Sequence, residues 1–235
     1  MTFADHLFKR HRFDRLVMLL CVRWYVSYKL SYRDLVEMMA ERGLNLAHTT
    51  IMRWVLKLLP TLEKRFRKYA RPVGRSWRVD ETYIKVKGQW VYLYRAVDKI
   101  GRTVDFYLSE HRDVKAAKRL FRRALLRCGA PNKITLDGYA ASHRAVKELK
   151  EEQMIPKRTE VRCCAYLNNI VEQDHRRVKS QVDPMLGFQR LANAAIVITG
   201  IELVQKLRKG QFKVNRLVKR AGGEVRDLWM AVLVA

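Results

Sequence analysis

The stretch Trp77–Ser109, "WRVDETYIKVKGQWVYLYRAVDKIGRTVDFYLS", is rich in aromatic and β-branched residues that alternate with polar ones. This pattern is typical of β-strands. Two short segments with turn residues, Lys87-Gly88 and 99–102, divide the stretch into three parts. Three strands joined by such short turns form an antiparallel meander. The stretch therefore predicts the first half of a sheet.

Helices and strands alternate after this meander. The residue patterns predict helices over 113–129 and 139–152, strands over 132–138 and 155–164, and a further helix from about residue 168. A last long helix is predicted over 188–211. Strands connected through helices run parallel, so the predicted fold class is α/β, with a mixed sheet flanked by helices.

Three helical segments precede the meander, over 14–26, 31–43 and 48–59. Ser31 and Asp34 form a capping-box pattern at the start of the second segment. In the third segment, the basic or polar residues Thr50, Arg53 and Lys57 share one face, opposite an apolar face. This layout is typical of a helix-turn-helix, which predicts contacts of Thr50, Arg53 and Lys57 with DNA. A plain helical hairpin has the same pattern.

A basic segment separates the helices from the strands. Pro60 predicts the end of the third helix, and the residues after it are rich in cations that could contact phosphates: Lys64, Arg65, Arg67, Lys68, Arg71 and Arg75. The predicted domains are a helix-turn-helix domain over 1–62, a basic linker over 63–75, a catalytic core over 76–187, and a C-terminal helix and tail over 188–235, packed on or beside the core.

The chain carries 48 Lys and Arg against 23 Asp and Glu, a formal net charge of +25. The excess is spread along the chain, which predicts a polyanionic partner, with nucleic acid as the first expectation. No apolar run is long enough for a membrane span, and the first residues lack the apolar segment of a signal peptide. The four cysteines form no C-x-x-C pair. We therefore expect a cytoplasmic protein without a membrane partner.

Three acids could meet in this topology. Asp80 lies inside the first strand, and Asp137 ends the fourth. If a crossover helix makes these strands parallel neighbours, the two aspartates lie together. Glu172, on the following helix, could reach the same point. Carboxylates so grouped are suitable ligands for two Mg²⁺ ions. Glu81 is expected on the opposite face of the strand.

The stretch 168–180, "NNIVEQDHRRVKS", has a second notable pattern. His175, Arg176 and Lys179 follow Glu172 at helical spacing and share its stripe. A carboxylate followed by these side chains predicts a metal ligand beside residues that contact DNA phosphates. A series of salt bridges within the helix would have almost the same spacing.

Three strings together resemble the DDE transposases of the insertion-sequence 6 family: "VDETYIKVKGQWVYLYRAVD", "YLNNIVEQDH" and "LGFQRLANAAIVITGIELVQKLRKGQ". The resemblance extends from about residue 14 to about residue 212. It implies a helix-turn-helix before a ribonuclease H-like, integrase-type catalytic core. The implied catalytic and metal-binding triad is Asp80, Asp137 and Glu172, and Lys179 matches a basic residue common in DDE enzymes. The family often has a lysine after the second acid, where this chain has Gly138.

The resemblance also implies a function. We expect a transposase that binds terminal inverted repeats and a target in double-stranded DNA. It would cut and join strands with two Mg²⁺ or Mn²⁺ ions, form cointegrates, and act as a homodimer or higher multimer. Two other hypotheses are a DNA-binding regulator with an inactive core and a structure-specific DNA nuclease.

Overall fold

A computed structural model describes Phe8 and the ranges 13–164, 169–185, 187–215 and 225–234. Parts of several predicted segments lie outside the described residues. These are most of 1–12, residues 165–168 at the start of the Glu172 helix, Leu186, and 216–224 with residue 235 in the C-terminal tail. The described elements are helices α1 Arg15–Ser27, α2 Tyr32–Ala40, α3 His48–Arg67, α4 Val114–Cys128, α5 Ala140–Glu151, α6 Asn169–Val182, α7 Leu191–Arg208 and α8 Val225–Val234, and strands β1 Ser76–Val86, β2 Gln89–Asp98, β3 Thr103–Ser109, β4 Lys133–Leu136 and β5 Glu160–Cys163.

The five strands form one sheet in the order β3-β2-β1-β4-β5. β1 pairs antiparallel with β2, and β2 with β3, whereas β4 runs parallel to both β1 and β5. The predicted α/β fold, with a ribonuclease H-like mixed sheet of a meander and two helix-connected strands, is therefore confirmed. The tight turn at Lys87 and Gly88 has positive φ at both residues, which matches the right-handed twist of the hairpin strands.

One face of the sheet packs against α4 and α5. The core there joins side chains of β1 and β2, such as Trp77, Val79 and Tyr94, to Leu120 of α4 and Leu149 of α5. Asp113 is the N-cap of α4, where its side chain accepts a hydrogen bond from the amide of Ala116. Gly129, with φ 75°, follows the last residue of this helix. This face is apolar because two helices exclude water from it.

The chain divides into two compact units. One comprises Pro72–Lys179 and Gly187–Leu191, and contains the sheet; the other comprises Met1–Arg71, Ser180–Leu186 and Ala192–Ala235. The grouping of 192–235 with the N-terminal helices differs from the prediction that this region packs on or beside the catalytic core. The physical reason is the row of buried apolar residues on α7, including Ile198 and Ile201, and the close packing of this helix: a Cβ at Gly200 would collide with Leu59 and Val26.

Helix α3 continues through Pro60 to Arg67, whereas the sequence predicted that Pro60 ends the helix and that a linker starts at residue 63. A proline inside a helix removes one hydrogen bond and costs about 3 kcal/mol. Leu58, Leu59, Leu62 and Phe66 are all fully buried around this position. Burying side chains of this size contributes about 1.5–3 kcal/mol each, which offsets that cost.

The helical unit confirms the capping box that the sequence predicted. The Ser31 side chain accepts a hydrogen bond from the Asp34 amide, and the Asp34 side chain accepts one from the Ser31 amide. The C-terminal tail, which had no clear sequence signal, contains α8, whose Trp229 is buried against Phe66. Within the described ranges, no helix combines the length and the apolar character that crossing a bilayer requires.

Candidate active site

The pairing of β1 with β4 brings Asp80 and Asp137 together. Ser76, Trp77 and Arg78 lie opposite Lys133, Ile134 and Thr135. Continuing this register by two residues places Asp137 beside Asp80. The Asp137 side chain accepts a hydrogen bond from the Tyr139 amide at 3.2 Å, in the short connection to α5. The two carboxylates thus lie at the end of a parallel strand pair, where sites of α/β proteins commonly form.

Three carboxylates converge at this point. Among the residues that the structure describes, Asp80, Glu81 and Asp137 each offer an oxygen, and these oxygens all lie within 4.8 Å of one another. Strand alternation predicted that Glu81 lies on the other sheet face, away from Asp80. Glu81 nevertheless approaches Asp137, because Asp137 follows the last residue of β4 at the sheet edge, where side chains from both faces of β1 can reach it.

An arginine, Arg112, binds the Glu81 carboxylate of this cluster. Arg112 Nε donates to Glu81 Oε1 at 2.8 Å, and the Arg112 guanidinium lies 3.7 Å from the centre of the Tyr139 ring. The Tyr139 hydroxyl donates to the Arg112 carbonyl at 2.8 Å. Burial raises the pKa of Glu81 even though Arg112 opposes the shift. Sequence reasoning missed Arg112, because no local pattern links residue 112 to residue 81.

Glu172 lies in the first turn of α6, and its side chain is exposed. It is not part of the group within 4.8 Å, yet it is near enough to affect Asp80. Burial is the main cause that raises the pKa of Asp80 to about 7, and repulsion from Asp137, Glu81 and Glu172 adds to the shift. The structure therefore places Asp80 and Asp137 close enough to bind one ion together. Glu172 is close enough for its charge to affect the Asp80 carboxyl.

A buried ion pair holds α6 against the sheet. Arg95 Nη2 donates to Asp174 Oδ2 at 2.7 Å, and the two side chains are 0% and 4% exposed. Arg95 is the cross-strand neighbour of Asp80 in the β1–β2 pairing. The pair therefore attaches α6 directly beside the Asp80 carboxylate. Asp174 faces inward while Glu172 is exposed, because residues two positions apart lie on roughly opposite sides of a helix.

His175 also points inward. It is 6% exposed, and its Nδ1 lies 3.6 Å from Asp80 Oδ2, which is longer than a hydrogen bond. Burial lowers the pKa of His175 to about 3, the Arg95 charge adds to this, and Asp174 opposes it. His175 is thus neutral and shielded, which contradicts its prediction as a DNA contact. His175 has the predicted helical spacing from Glu172, but packing of α6 against the sheet buries its side chain.

The other predicted DNA contacts are accessible. Arg176 is exposed on α6, and Lys179 is partly exposed. On α3 and just after it, the exposed or partly exposed cations and their polar neighbour are Thr50, Arg53, Lys57, Lys64, Arg65, Arg67 and Lys68. Arg67 pairs with Glu63 one turn earlier, as a solvated helix face commonly does.

Comparison with known proteins gives the family. A family model described as a DDE domain, of the IS240 transposase type, matches residues 74–211. The transposase of the insertion-sequence-like element IS431mec from Staphylococcus aureus is 37% identical over 204 residues, which are 86% of this chain and 88% of the relative. The chain belongs to the insertion-sequence 6 family of DDE transposases.

A second curated relative and a solved structure are also similar to this chain. The transposase of IS257 in transposon Tn4003 of Staphylococcus aureus is 36% identical over the same share of both chains. Among solved structures, the catalytic core domain of HTLV-2 integrase in complex with magnesium matches with a TM-score of 0.46, 17% identity, and coverage of 58% of this chain and 90% of that chain. As a DDE transposase, the chain is a metal-dependent enzyme of DNA phosphoryl transfer.

The donor set fits a divalent metal ion. All three clustered groups are carboxylates, which are the hard oxygen ligands that Mg²⁺ and Mn²⁺ prefer. Burial, with repulsion from the neighbouring carboxylates added to it, raises the pKa of Asp80, and a cation bound between these groups would favour their charged form.

Removing one partner of the Arg95–Asp174 pair should destabilise the protein. We expect Asp174→Ala to lower the free energy of unfolding by about 3–5 kcal/mol, because it leaves the buried guanidinium without its carboxylate. The measurement is urea denaturation followed by circular dichroism. Replacing both residues, Arg95→Met with Asp174→Leu, should restore much of the loss.

The matched control for this prediction is Arg144→Ala. Arg144 pairs with Glu148 at 2.9 Å on an exposed helix face, so its removal should cost less than about 1 kcal/mol. If Asp174→Ala and Arg144→Ala cost the same, the buried pair does not hold α6.

The raised pKa of Asp80 predicts a pH-dependent stability. In the folded state the carboxyl keeps its proton to about pH 7, against an ordinary pKa of 3.8. The metal-free protein should therefore lose stability as the pH rises from about 4 to about 7, by on the order of 4 kcal/mol. Asp80→Asn cannot lose a proton, so this variant should be more stable than wild type at pH 8 in EDTA.

Thermal unfolding with and without Mg²⁺ completes this test. We expect Mg²⁺ to raise the melting temperature of wild type at pH 8 and to leave that of Asp80→Asn unchanged. Equal stabilisation of both proteins by Mg²⁺ would place the ion elsewhere.

Proposed function

We propose that this transposase binds the terminal inverted repeats of its element and catalyses Mg²⁺-dependent cleavage and strand transfer into target DNA. The observation that carries the proposal is the meeting of Asp80 and Asp137 at the end of the β1–β4 pair, with Glu172 in electrostatic reach. Acids from distant parts of the sequence, such as Asp80 and Asp137, have no structural reason to lie side by side, since their repulsion is unfavourable.

In this proposal Asp80, Asp137 and Glu172 hold two metal ions. When bound, the ions would make a water or a DNA 3′-hydroxyl more acidic and stabilise the leaving oxygen. His175 is neutral and its Nδ1 lies 3.6 Å from Asp80 Oδ2, beyond hydrogen-bond distance, so the Asp80 carboxylate stays available to a cation. Arg112, fixed by Glu81 and Tyr139, keeps a positive charge beside Asp137, where a DNA phosphate would approach. The Glu81 carboxylate mainly forms the ion pair with Arg112.

The helix-turn-helix in this proposal comprises α2 and α3. Thr50, Arg53 and Lys57 of α3 would enter the major groove, and the basic segment with Lys64, Arg65, Arg67 and Lys68 would contact the backbone. Arg176 and Lys179 on α6 would contact phosphates next to the acids. We also propose that the enzyme joins two ends as a homodimer or higher multimer, forms cointegrates, and works on DNA in the cytoplasm of a prokaryotic cell.

The acids can be tested with a matched DNA end and Mg²⁺. We expect wild type to cut and join DNA. Asp80→Asn, Asp137→Asn and Glu172→Gln should each reduce product formation by about a thousandfold or more, because each removes a ligand of the ions that stabilise the transition state. All three variants should still bind the end. Gel separation of cut and joined products is the measurement, and Glu148→Gln, which changes an acid on α5, is the control.

Two results would contradict the proposal. Cut ends without any joined product, even with excess target DNA, would identify a nuclease. Full activity of Glu172→Gln, or end binding without chemistry in wild type, would identify a DNA-binding regulator with an inactive core.

Helix α3 can be tested by binding to the terminal repeat over a range of salt concentrations. Arg53→Ala and Lys57→Ala should each weaken binding and, where the lost contact is to a phosphate, reduce the salt dependence by about one ion. Lys147→Ala removes an exposed cation from α5 and should change neither quantity. If both α3 variants bind like wild type, α3 does not contact the DNA.

A further inference from the structure

Two large aromatic side chains are exposed on the β1–β2 hairpin. Tyr83 is 52% exposed and Trp90 is 59% exposed. Their ring centres lie 5.5 Å apart in an edge-to-face arrangement. The other four tryptophans of the chain, Trp24, Trp54, Trp77 and Trp229, are buried or half-buried. Trp90 is therefore exposed in a protein that otherwise covers its indole rings.

Each of these two rings has a cation beside it. Lys85 Nζ lies 5.4 Å from the centre of the Trp90 ring, and Lys179 Nζ lies 4.8 Å from the centre of the Tyr83 ring. We call these four residues, Tyr83, Lys85, Trp90 and Lys179, the hairpin surface. Exposed aromatic rings flanked by cations are the features with which proteins bind bases and phosphates of unpaired nucleic acid.

The hairpin surface continues from the acidic cluster. Tyr83 is two residues beyond Glu81 and shares its face of β1, about 7 Å along the strand. Pairing with β4 ends at Arg78, and Phe188 makes an isolated bridge with Val86. Between these two positions, the described residues supply no paired strand on this edge of β1. A DNA strand held at Asp80 and Asp137 can therefore extend along the open edge to the two rings.

The charges on this surface decide between possible occupants. A second protein copy would have to bury Lys85 and Lys179 of a chain with net charge +25 against an equally basic chain, and desolvating like charges is costly. A DNA strand supplies a phosphate for each cation and a flat base for each ring. Paired bases present only their edges, so the rings fit bases that have left the duplex.

We propose that the hairpin surface stacks unpaired bases of the DNA strand next to the scissile phosphate. Tyr83 and Trp90 hold the bases, and Lys85 and Lys179 hold the phosphates between them. This proposal rests on the proposed function, because it concerns the DNA of that same site. It implies that the enzyme prefers a frayed or single-stranded end to a fully paired one.

The test compares two labelled DNAs that carry the same terminal duplex. One is blunt, and the other has an unpaired 3′ extension of about ten nucleotides, within the range that such surfaces bind. Affinity is measured by fluorescence anisotropy in EDTA, so no chemistry is needed and failure of strand transfer leaves this result intact. We expect wild type to bind the extended DNA more tightly, and Trp90→Ala to lose about tenfold on that DNA alone.

Three further measurements complete the test. Trp90→Phe keeps a ring and should retain most of the preference, and Leu126→Ala, which removes an exposed apolar side chain from α4, should change nothing. Tryptophan emission of wild type should be quenched by the extended DNA, and this quenching should be absent in Trp90→Ala.

The proposal is overturned if wild type shows no preference for the extended DNA, or if Trp90→Ala weakens binding of both DNAs equally. It is also overturned if Trp90→Ala changes only the oligomeric state in sedimentation, since the hairpin surface is then a protein interface.

Discussion

The buried ion pair between Arg95 and Asp174 determines the rotation of α6, and the arrangement of the site depends on that rotation. Two charges withdrawn from water are tolerated only when they meet in good geometry, as they do here at 2.7 Å. Because Asp174 must face Arg95, Glu172 projects outward in the first turn of the helix and His175 is pressed against Asp80. A single buried ion pair thus leaves Glu172 in solvent and His175 in the protein interior, although both lie on the same helix.

The second constraint is the short parallel pairing of β1 with β4. It extends over three residue pairs, and the chain leaves the sheet immediately after β4 at Asp137. The pairing places Asp137 beside Asp80, and beyond it no strand among the described residues pairs with that edge of β1 before the bridge of Val86 with Phe188. The same feature therefore creates the carboxylate cluster and makes it accessible. Burial and the neighbouring carboxylates both disfavour the charged form of Asp80, as its raised pKa indicates, and a bound metal ion would offset both effects.

Much of the site could be predicted from the sequence. The meander and the alternating helices predicted a mixed sheet, in which the first and fourth strands as parallel neighbours would bring Asp80 and Asp137 together. These inferences succeeded because they use local periodicity and the topological rule for parallel strands. Glu81 and Arg112 were missed. Their contact joins a strand to a distant loop, and alternation along β1 describes the strand but says nothing about what lies at its edge.

The sequence by itself determined the elements, the excess of positive charge and the candidate acids, because these follow from composition and short-range pattern. Only the tertiary structure decided which side chains are buried. It kept α3 helical through Pro60 by surrounding it with apolar side chains, it removed His175 from solvent, and it grouped α7 with the N-terminal helices. Burial depends on residues that are distant in the chain, and each of these outcomes is set by packing energies that outweigh the local preference.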